Sequence, residues 1–204
     1  GLFVAVGDVG TIITAPTAQT WSVQTSGTAK NLYAVSSGNG VIVTAGDAGN
    51  ILISSNANSW ESVTSGSASN LLGLTFANNK FIAVGNLGTI LSSSNGRTWD
   101  IVTSGTTNNL SGVTYGNGLF MSVGKSGTLL TSVDGSSWNN VSSSSTNNLS
   151  AAVYGNGIYV VVGSGGTVLT SATGKSWQTQ ASGSNTKLNS VTYGNGQFVS
   201  VGDS

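Results

Sequence analysis

The chain has 204 residues, six basic and six acidic side chains, no histidine and no cysteine. The missing cysteine excludes disulfides and thiolate chemistry, and the missing histidine removes the commonest general base and transition-metal ligand. The net charge of zero provides no electrostatic footprint for nucleic acid, and no apolar run approaches the ~18 residues of a membrane helix. We therefore expect no nucleic-acid partner, no membrane insertion, no metal and no cofactor.

A repeat of 39 residues runs through the whole chain without insertion. The tryptophans mark it most clearly: Trp21, Trp60, Trp99, Trp138 and Trp177. Glycines and leucines at other positions keep the same interval. Because repeats of ~40 residues are typical of propeller blades, we predict a single domain, 1–204, built from repeated sheets.

One unit, from residue 109 to 145, predicts four short strands in chain order. An alternating apolar segment is followed by Asn117-Gly118, which is a strong hairpin signal because both residues accept positive φ. A second strand, a turn bounded by Gly124 and Gly127, a third strand and another turn come next. Trp138 then opens the fourth strand. The predicted strands are 110–115, 119–123, 128–132 and 138–141.

These elements predict an all-β, five-bladed β-propeller with four antiparallel strands in each 39-residue blade. A β-solenoid is the alternative, although its rungs are usually shorter and parallel. The segments 1–8 and 196–203 are near-duplicates and hold the same strand of the unit. We expect the C-terminal strand, 188–193, to join the N-terminal blade and close the ring, which removes exposed sheet edges. Since only one duplicate fits that blade, exchange of a strand between chains is a further expectation.

The segment from Ser132 to Trp138 resembles an Asp box, the turn motif of BNR or sialidase-type propellers. Related copies end at Trp99 and Trp177, and degenerate copies end at Trp60 and Trp21. The whole unit is similar to bacterial propeller repeats grouped with photosystem II assembly factor-like proteins. The resemblance implies a structural role for the polar turn residues and for the tryptophan that packs over them. These residues are Asp134, Asn95 and Asn56, with Trp21, Trp60, Trp99, Trp138 and Trp177.

The charged residues predict no enzyme. A sialidase needs an arginine cluster, and the chain has only Arg97. A glycosidase needs two or three convergent carboxylates, whereas five of the six acids occupy two sets of equivalent positions in different repeats and are expected to lie around a ring. We therefore expect no catalytic residue.

The polar loops and turns at one end of the sheets form the candidate ligand-binding face. Their hydroxyls, amides and backbone groups suit a protein segment or a neutral glycan. The candidate residues are Asp8, Asp47, Asn86, Lys125, Ser164, Asn70, Asn109 and Asn148.

Three interpretations of the function follow from this face and this fold. The first is a non-enzymatic binding scaffold, part of an extracellular or cell-surface protein. The second is a multivalent lectin with one site per blade, whose weak sites gain strength through avidity. The third is an engineered or recently amplified repeat protein with no evolved ligand.

Overall fold

The computed structural model describes all 204 residues, which divide into two compact units. The first unit comprises Gly1–Gly85 with Thr89–Val102, and the second comprises Asn86–Gly88 with Thr103–Ser204. Both units consist of antiparallel strands, joined by hairpins and by short 3-10 turns.

The first unit contains three sheets, each a simple meander in which neighbours along the chain are neighbours in the sheet. The first sheet has three strands: β1 (Phe3–Val6), β2 (Ile12–Ala15) and β3 (Ser22–Gln24). The second has four: β4 (Leu32–Gly38), β5 (Val41–Gly46), β6 (Ile51–Ser54) and β7 (Glu61–Val63). The third also has four: β8 (Leu71–Ala77), β9 (Lys80–Gly85), β10 (Ile90–Ser93) and β11 (Asp100–Val102). The 3-10 turns of the first unit are Asp8–Gly10 and Asp47–Gly49.

The second unit repeats the same meander. One four-stranded sheet contains β12 (Leu110–Gly116), β13 (Leu119–Gly124), β14 (Leu129–Ser132) and β15 (Asn139–Asn140). The next contains β16 (Leu149–Gly155), β17 (Ile158–Gly163), β18 (Val168–Ser171) and β19 (Gln178–Gln180). The last has two strands, β20 (Leu188–Gly194) and β21 (Gln197–Gly202). The 3-10 turns of this unit are Asn86–Gly88, Lys125–Gly127 and Ser164–Gly166.

The Asn-Gly sequences form the tight hairpins that were predicted from them. Between β12 and β13, Gly116 faces Leu119, and the two turn residues Asn117 and Gly118 have φ values of 44° and 77°. Positive φ at both positions matches the twist of the strands on either side. The position of the hairpin, and with it the strand register, therefore follows from two residues.

The hydrophobic core of each unit uses the same positions of the repeat, two repeats apart. In the first unit Phe81 and Leu91 belong to a fully buried cluster, against which Trp99 packs. In the second, Tyr159 and Leu169 take the equivalent places, and Trp177 is buried with them. Each cluster draws its side chains from two successive sheets, so a sheet gains its core only from the sheet beside it.

The strand count corrects two expectations about the architecture. Four sheets have the predicted four strands, but the first has three and the last has two, so there are six sheets rather than five equal blades. The strand β20 pairs with β21 rather than with β1, so the pairing that was predicted to close the ring is not seen. A two-residue hairpin brings β20 and β21 together at a far smaller loop-closure cost than pairing with a strand at the other end of the chain. The solenoid alternative is also wrong, because every strand pairing is antiparallel.

Candidate functional site

Five 3-10 turns connect the second and third strands of the repeat, and each turn begins with one of the predicted ligand-binding residues. Asp8, Asp47, Asn86, Lys125 and Ser164 all begin such turns. In every turn the middle residue has positive φ, from 49° to 62°. For residues other than glycine this conformation is uncommon and costs of order 1–3 kcal/mol. Contacts from elsewhere in the fold must therefore hold the turn in place.

Three predicted ligand-binding asparagines supply one of those contacts. The Oδ1 atoms of Asn70, Asn109 and Asn148 accept hydrogen bonds from the middle main-chain N–H groups of these turns, at 2.9–3.0 Å. The donors are 22 residues earlier in the chain, in the preceding sheet. These side chains thus join consecutive repeats, and their role in binding a ligand stays a prediction.

Asn31 has the same role and was missed among the predicted site residues. Its Oδ1 accepts a hydrogen bond from Val9 N–H at 2.9 Å. Asn31 precedes Asn70 by one repeat of 39 residues, so the repeat spacing alone was a sufficient signal. At the next equivalent position after Asn148 the chain has Lys187, whose side chain offers no acceptor.

The acidic turn residues restrain the backbone around them. Asp47 accepts hydrogen bonds from Asn31 N–H at 3.2 Å and from the Tyr33 hydroxyl at 2.7 Å. The hydrogen bond to Asp47 raises the pKa of Tyr33 above its ordinary value. Asp203 accepts a hydrogen bond from Asn189 Nδ2 at 2.6 Å. No group of three carboxylates comes together anywhere in the chain.

The turns before Trp60, Trp99 and Trp138 contain a repeated set of side-chain to backbone hydrogen bonds. In the sheet β12–β15, Ser132 Oγ accepts from Gly135 N–H at 2.8 Å, and Asp134 Oδ1 accepts from Ser136 N–H at 2.8 Å. The Trp138 indole donates to the Gly135 carbonyl at 3.3 Å. Asn95 and Asn56 accept main-chain hydrogen bonds in the same way in their own turns. These bonds account for the turn residues without any ligand.

Two of the repeated tryptophans show how the packing changes with the local sequence. Trp99 Nε1 donates to Gly96 O at 2.9 Å, whereas Trp177 Nε1 is buried without a partner. At the other end of the series, Trp21 is 40% exposed and contacts the ring of Phe3. The indoles of Trp99 and Trp177 contact the rings of Phe81 and Tyr159 in their own sheets.

In each unit a groove lies beside one of the 3-10 turns. In the first unit it measures about 460 Å³ and is lined by Lys30, by 48–50 and by the loop 62–68. The groove in the second unit measures about 430 Å³ and is lined at the equivalent positions, three repeats further along, among them Asn147 and Thr167. Hydroxyl, amide and glycine backbone groups line both grooves together with apolar groups.

The helical segments of the chain are all three-residue turns, and none has the length and apolar character needed to cross a bilayer.

Comparison with known proteins identifies the fold. No protein-family model and no curated protein sequence matches the chain. Among solved structures, YCF48 from Cyanidioschyzon merolae superposes with a TM-score of 0.72 at 13% identity, covering 98% of this chain and 74% of that one. A structure of YCF48 bound to a D1 peptide gives a TM-score of 0.64 at 14% identity, covering 98% and 84%.

A designed protein has the same fold as well. The computationally designed Ika8 protein superposes with a TM-score of 0.77 at 14% identity, covering 98% of this chain and 65% of the designed one. At such low identity the similarity concerns the fold alone. The chain has an all-β, β-propeller repeat fold of antiparallel sheets.

Proposed function

We propose that this chain is a non-enzymatic scaffold that binds peptide segments of partner proteins. The observation that carries the proposal is its similarity to the structure of YCF48 bound to a D1 peptide, along 98% of this chain. A fold hosts many functions, so features of this chain's own surface must add to the argument. The predicted Asp-box family and the extracellular location belong to the same proposal.

Exposed apolar side chains on the 3-10 turns support the proposal. Val9 is 71% exposed and Leu87 is 72% exposed, and both have positive φ at the middle of their turns. The strained backbone costs free energy, and so does the exposure of an apolar side chain to solvent. Both features are found at binding surfaces. Ser126 has the same place and the same φ in another repeat, so the turn itself does not need an apolar residue.

Panning of a random peptide library on the immobilised chain tests this function. We expect selected peptides to bind saturably, and the double variant V9S/L87S to weaken their binding about tenfold. Both substitutions use the residue present at position 126, so the turns should stay folded. A library that yields no saturable binder would overturn the proposal.

The multivalent lectin is the second candidate, and the repetition of the groove favours it. Two grooves of similar volume lie three repeats apart and present hydroxyl and amide groups. Neutral sugars bind through such groups, and several weak sites add avidity. Saturable binding of one neutral sugar on a glycan array would favour the lectin over the peptide scaffold, and an array without binding would exclude it.

Exchange of a strand between chains stays a prediction. It draws support from the sheet edges: Phe3 on β1 is 51% exposed, whereas its equivalents Phe81 and Phe120 are fully buried. On β21, Val199 is 53% exposed. Light scattering of the chain at increasing concentration tests the exchange, and a monomer at every concentration would reject it.

A further inference from the structure

A polar pair beside the 3-10 turn recurs in the second unit. Asn108 Nδ2 donates to Thr128 Oγ1 at 2.8 Å, and Asn147 Nδ2 donates to Thr167 Oγ1 at 2.9 Å. The two partners are 20 residues apart in each case. The threonine hydroxyl in turn donates to the first carbonyl of its own turn, at 2.6 and 2.7 Å. The asparagine Nδ2 group and the threonine hydroxyl of each pair therefore have a partner within the protein.

Lys30 and Asn50 occupy the same two positions in the first unit and leave their donors unpaired. Asn50 Nδ2 is covered by protein and has no hydrogen-bond partner. The Lys30 ammonium makes neither an ion pair nor a hydrogen bond. The carboxylates of the same repeat are engaged elsewhere, Asp47 with main-chain and tyrosine donors and Glu61 with an arginine.

Both of these side chains line the groove of the first unit. The groove has a volume of about 460 Å³, which is room for part of a peptide. Its counterpart in the second unit, about 430 Å³, contains the closed pair of Asn147 and Thr167. The two grooves are thus alike in size, and the closed polar pair of the second is replaced in the first by two side chains whose N–H donors have no partner.

We propose that the groove lined by Lys30 and Asn50 binds the carboxylate of an acidic side chain of a peptide. A carboxylate is an acceptor only, and its bonds to an ammonium and an amide N–H are the strong, charge-assisted kind. The inference rests on the proposed peptide-binding function and specifies its site and ligand chemistry. A rotation of the Asn50 carboxamide about its Cβ–Cγ bond would present Nδ2 to the groove, where a carboxylate would supply the acceptor that this donor lacks.

A titration followed by amide NMR shifts tests this site. The probe is a short peptide of glycine and serine with one central aspartate, its termini blocked, and the comparison peptide has asparagine in place of the aspartate. We expect the aspartate peptide to shift the main-chain signals of Ala48 and Gly49, with an affinity at least tenfold above that of the asparagine peptide. Acetate at the same concentration should shift them less, because it lacks the peptide contacts. Equal shifts with acetate would leave a simple anion site and overturn the peptide assignment.

Exchange of the polar pairs between the two grooves provides matched variants. The double variant K30N/N50T installs the closed pair of the second unit and should lose aspartate-peptide binding while remaining folded. The reciprocal variant N147K/T167N should gain binding in the second groove. If one of these does not fold, the single variant K30Q removes the charge at an exposed position and should lower the affinity about tenfold.

The outcomes separate this site from the general function. Aspartate and asparagine peptides that bind equally well, or binding that survives K30N/N50T, would overturn the carboxylate site. Library peptides whose shifts map to other loops would do the same while leaving the peptide scaffold in place. A chain that binds no library peptide at all would instead remove the scaffold on which the inference rests.

Discussion

The hydroxyl of Tyr159 on β17 donates a hydrogen bond to the carbonyl oxygen of Gly116 on β12, in the preceding sheet. Tyr159 is fully buried and its ring contacts those of Tyr154 and Trp177. Gly116 leaves space for the Tyr154 ring, since a Cβ at Gly116 would collide with the Cγ and Cδ1 atoms of that ring. One buried hydroxyl thus joins two sheets at the point where the Gly116 backbone of one sheet lies against the Tyr154 ring of the next.

Tyr159 should make the stability of the protein depend on alkaline pH. Burial raises its pKa from 10.0 to about 12. The folded state therefore holds this proton more tightly than the unfolded state, and its contribution to stability is lost as the pH rises from about 10 to about 12. Phenylalanine occupies the equivalent positions 81 and 120, so Y159F should pack well and lose only the hydrogen bond, about 1 kcal/mol at neutral pH.

Urea unfolding of the wild type and Y159F across this pH range is the measurement. Tyrosines at other positions titrate in both proteins and cancel in the difference. We expect the advantage of the wild type to shrink above about pH 10. An advantage that stays constant up to about pH 12 would show that Tyr159 has the same pKa in the folded and the unfolded protein.

The asparagines that join consecutive repeats should stabilise the fold through their acceptor oxygen. Asn148 Oδ1 accepts from Ser126 N–H at 3.0 Å, so N148A should cost about 1 kcal/mol or more of unfolding free energy. N148D keeps an acceptor and should cost less. The neighbouring T146A is the control, since Thr146 makes no hydrogen bond with its side chain. Equal midpoints of N148A and T146A in urea would contradict the structural role.

The tryptophan turn of the sheet β16–β19 is weaker than its equivalents and should be open to improvement. Thr173 stands where the other turns have Asn95 or Asp134, and only Lys175 N–H donates to it, at 3.3 Å. T173N supplies the oxygen that accepts two main-chain donors at Asn95. We expect a gain of about 1 kcal/mol, measured by thermal or urea unfolding. N95T is the reciprocal variant and should lose a similar amount; a gain from both substitutions would contradict the explanation.

The asparagines of the Asn-Gly hairpins should deamidate faster than Asn95, which also precedes a glycine. In that reaction the glycine nitrogen attacks the asparagine Cγ, ammonia leaves, and water opens the succinimide to aspartate or isoaspartate. Asn117 and Asn156 are exposed and their side chains have no hydrogen-bond partner. Asn95 Oδ1 accepts main-chain bonds, and the Gly96 N–H donates to a serine hydroxyl at 2.8 Å.

Peptide mapping by mass spectrometry after incubation in mildly alkaline buffer measures this difference. We expect deamidation at positions 117 and 156 to be several-fold faster than at 95. Incubation of the unfolded chain in urea should bring the three rates together, since each asparagine is followed by glycine. Equal rates in the folded protein would show that the turn contacts of Asn95 offer no protection.

Much of this structure could be predicted because the information is local and repeated. The hairpin at Asn117-Gly118 needs only two residues with positive φ, and the repeat spacing transfers it to the other sheets. The tryptophan turns were predictable for the same reason, since Asp134 and Trp138 act within seven residues of Ser132. Antiparallel meanders follow from such short connections.

The remaining features depend on groups that are distant in the chain. Asn70 Oδ1 accepts a hydrogen bond from Ala48 N–H, and only the packing of successive sheets brings these two residues together. The same holds for Lys30 and Asn50, whose significance emerges only when the bond between their counterparts is seen.

The sequence by itself determined the repeat, the strand type and the turn chemistry, because each depends on neighbours within a few residues. Only the tertiary structure decided which strands share a sheet, so that β20 pairs with β21, and which polar groups have partners. The physical reason is that strand pairing and side-chain burial depend on which of several competing contacts has the lowest free energy. A repeat offers the same contact several times. The choice among equivalent partners rests on loop-closure cost and packing in three dimensions.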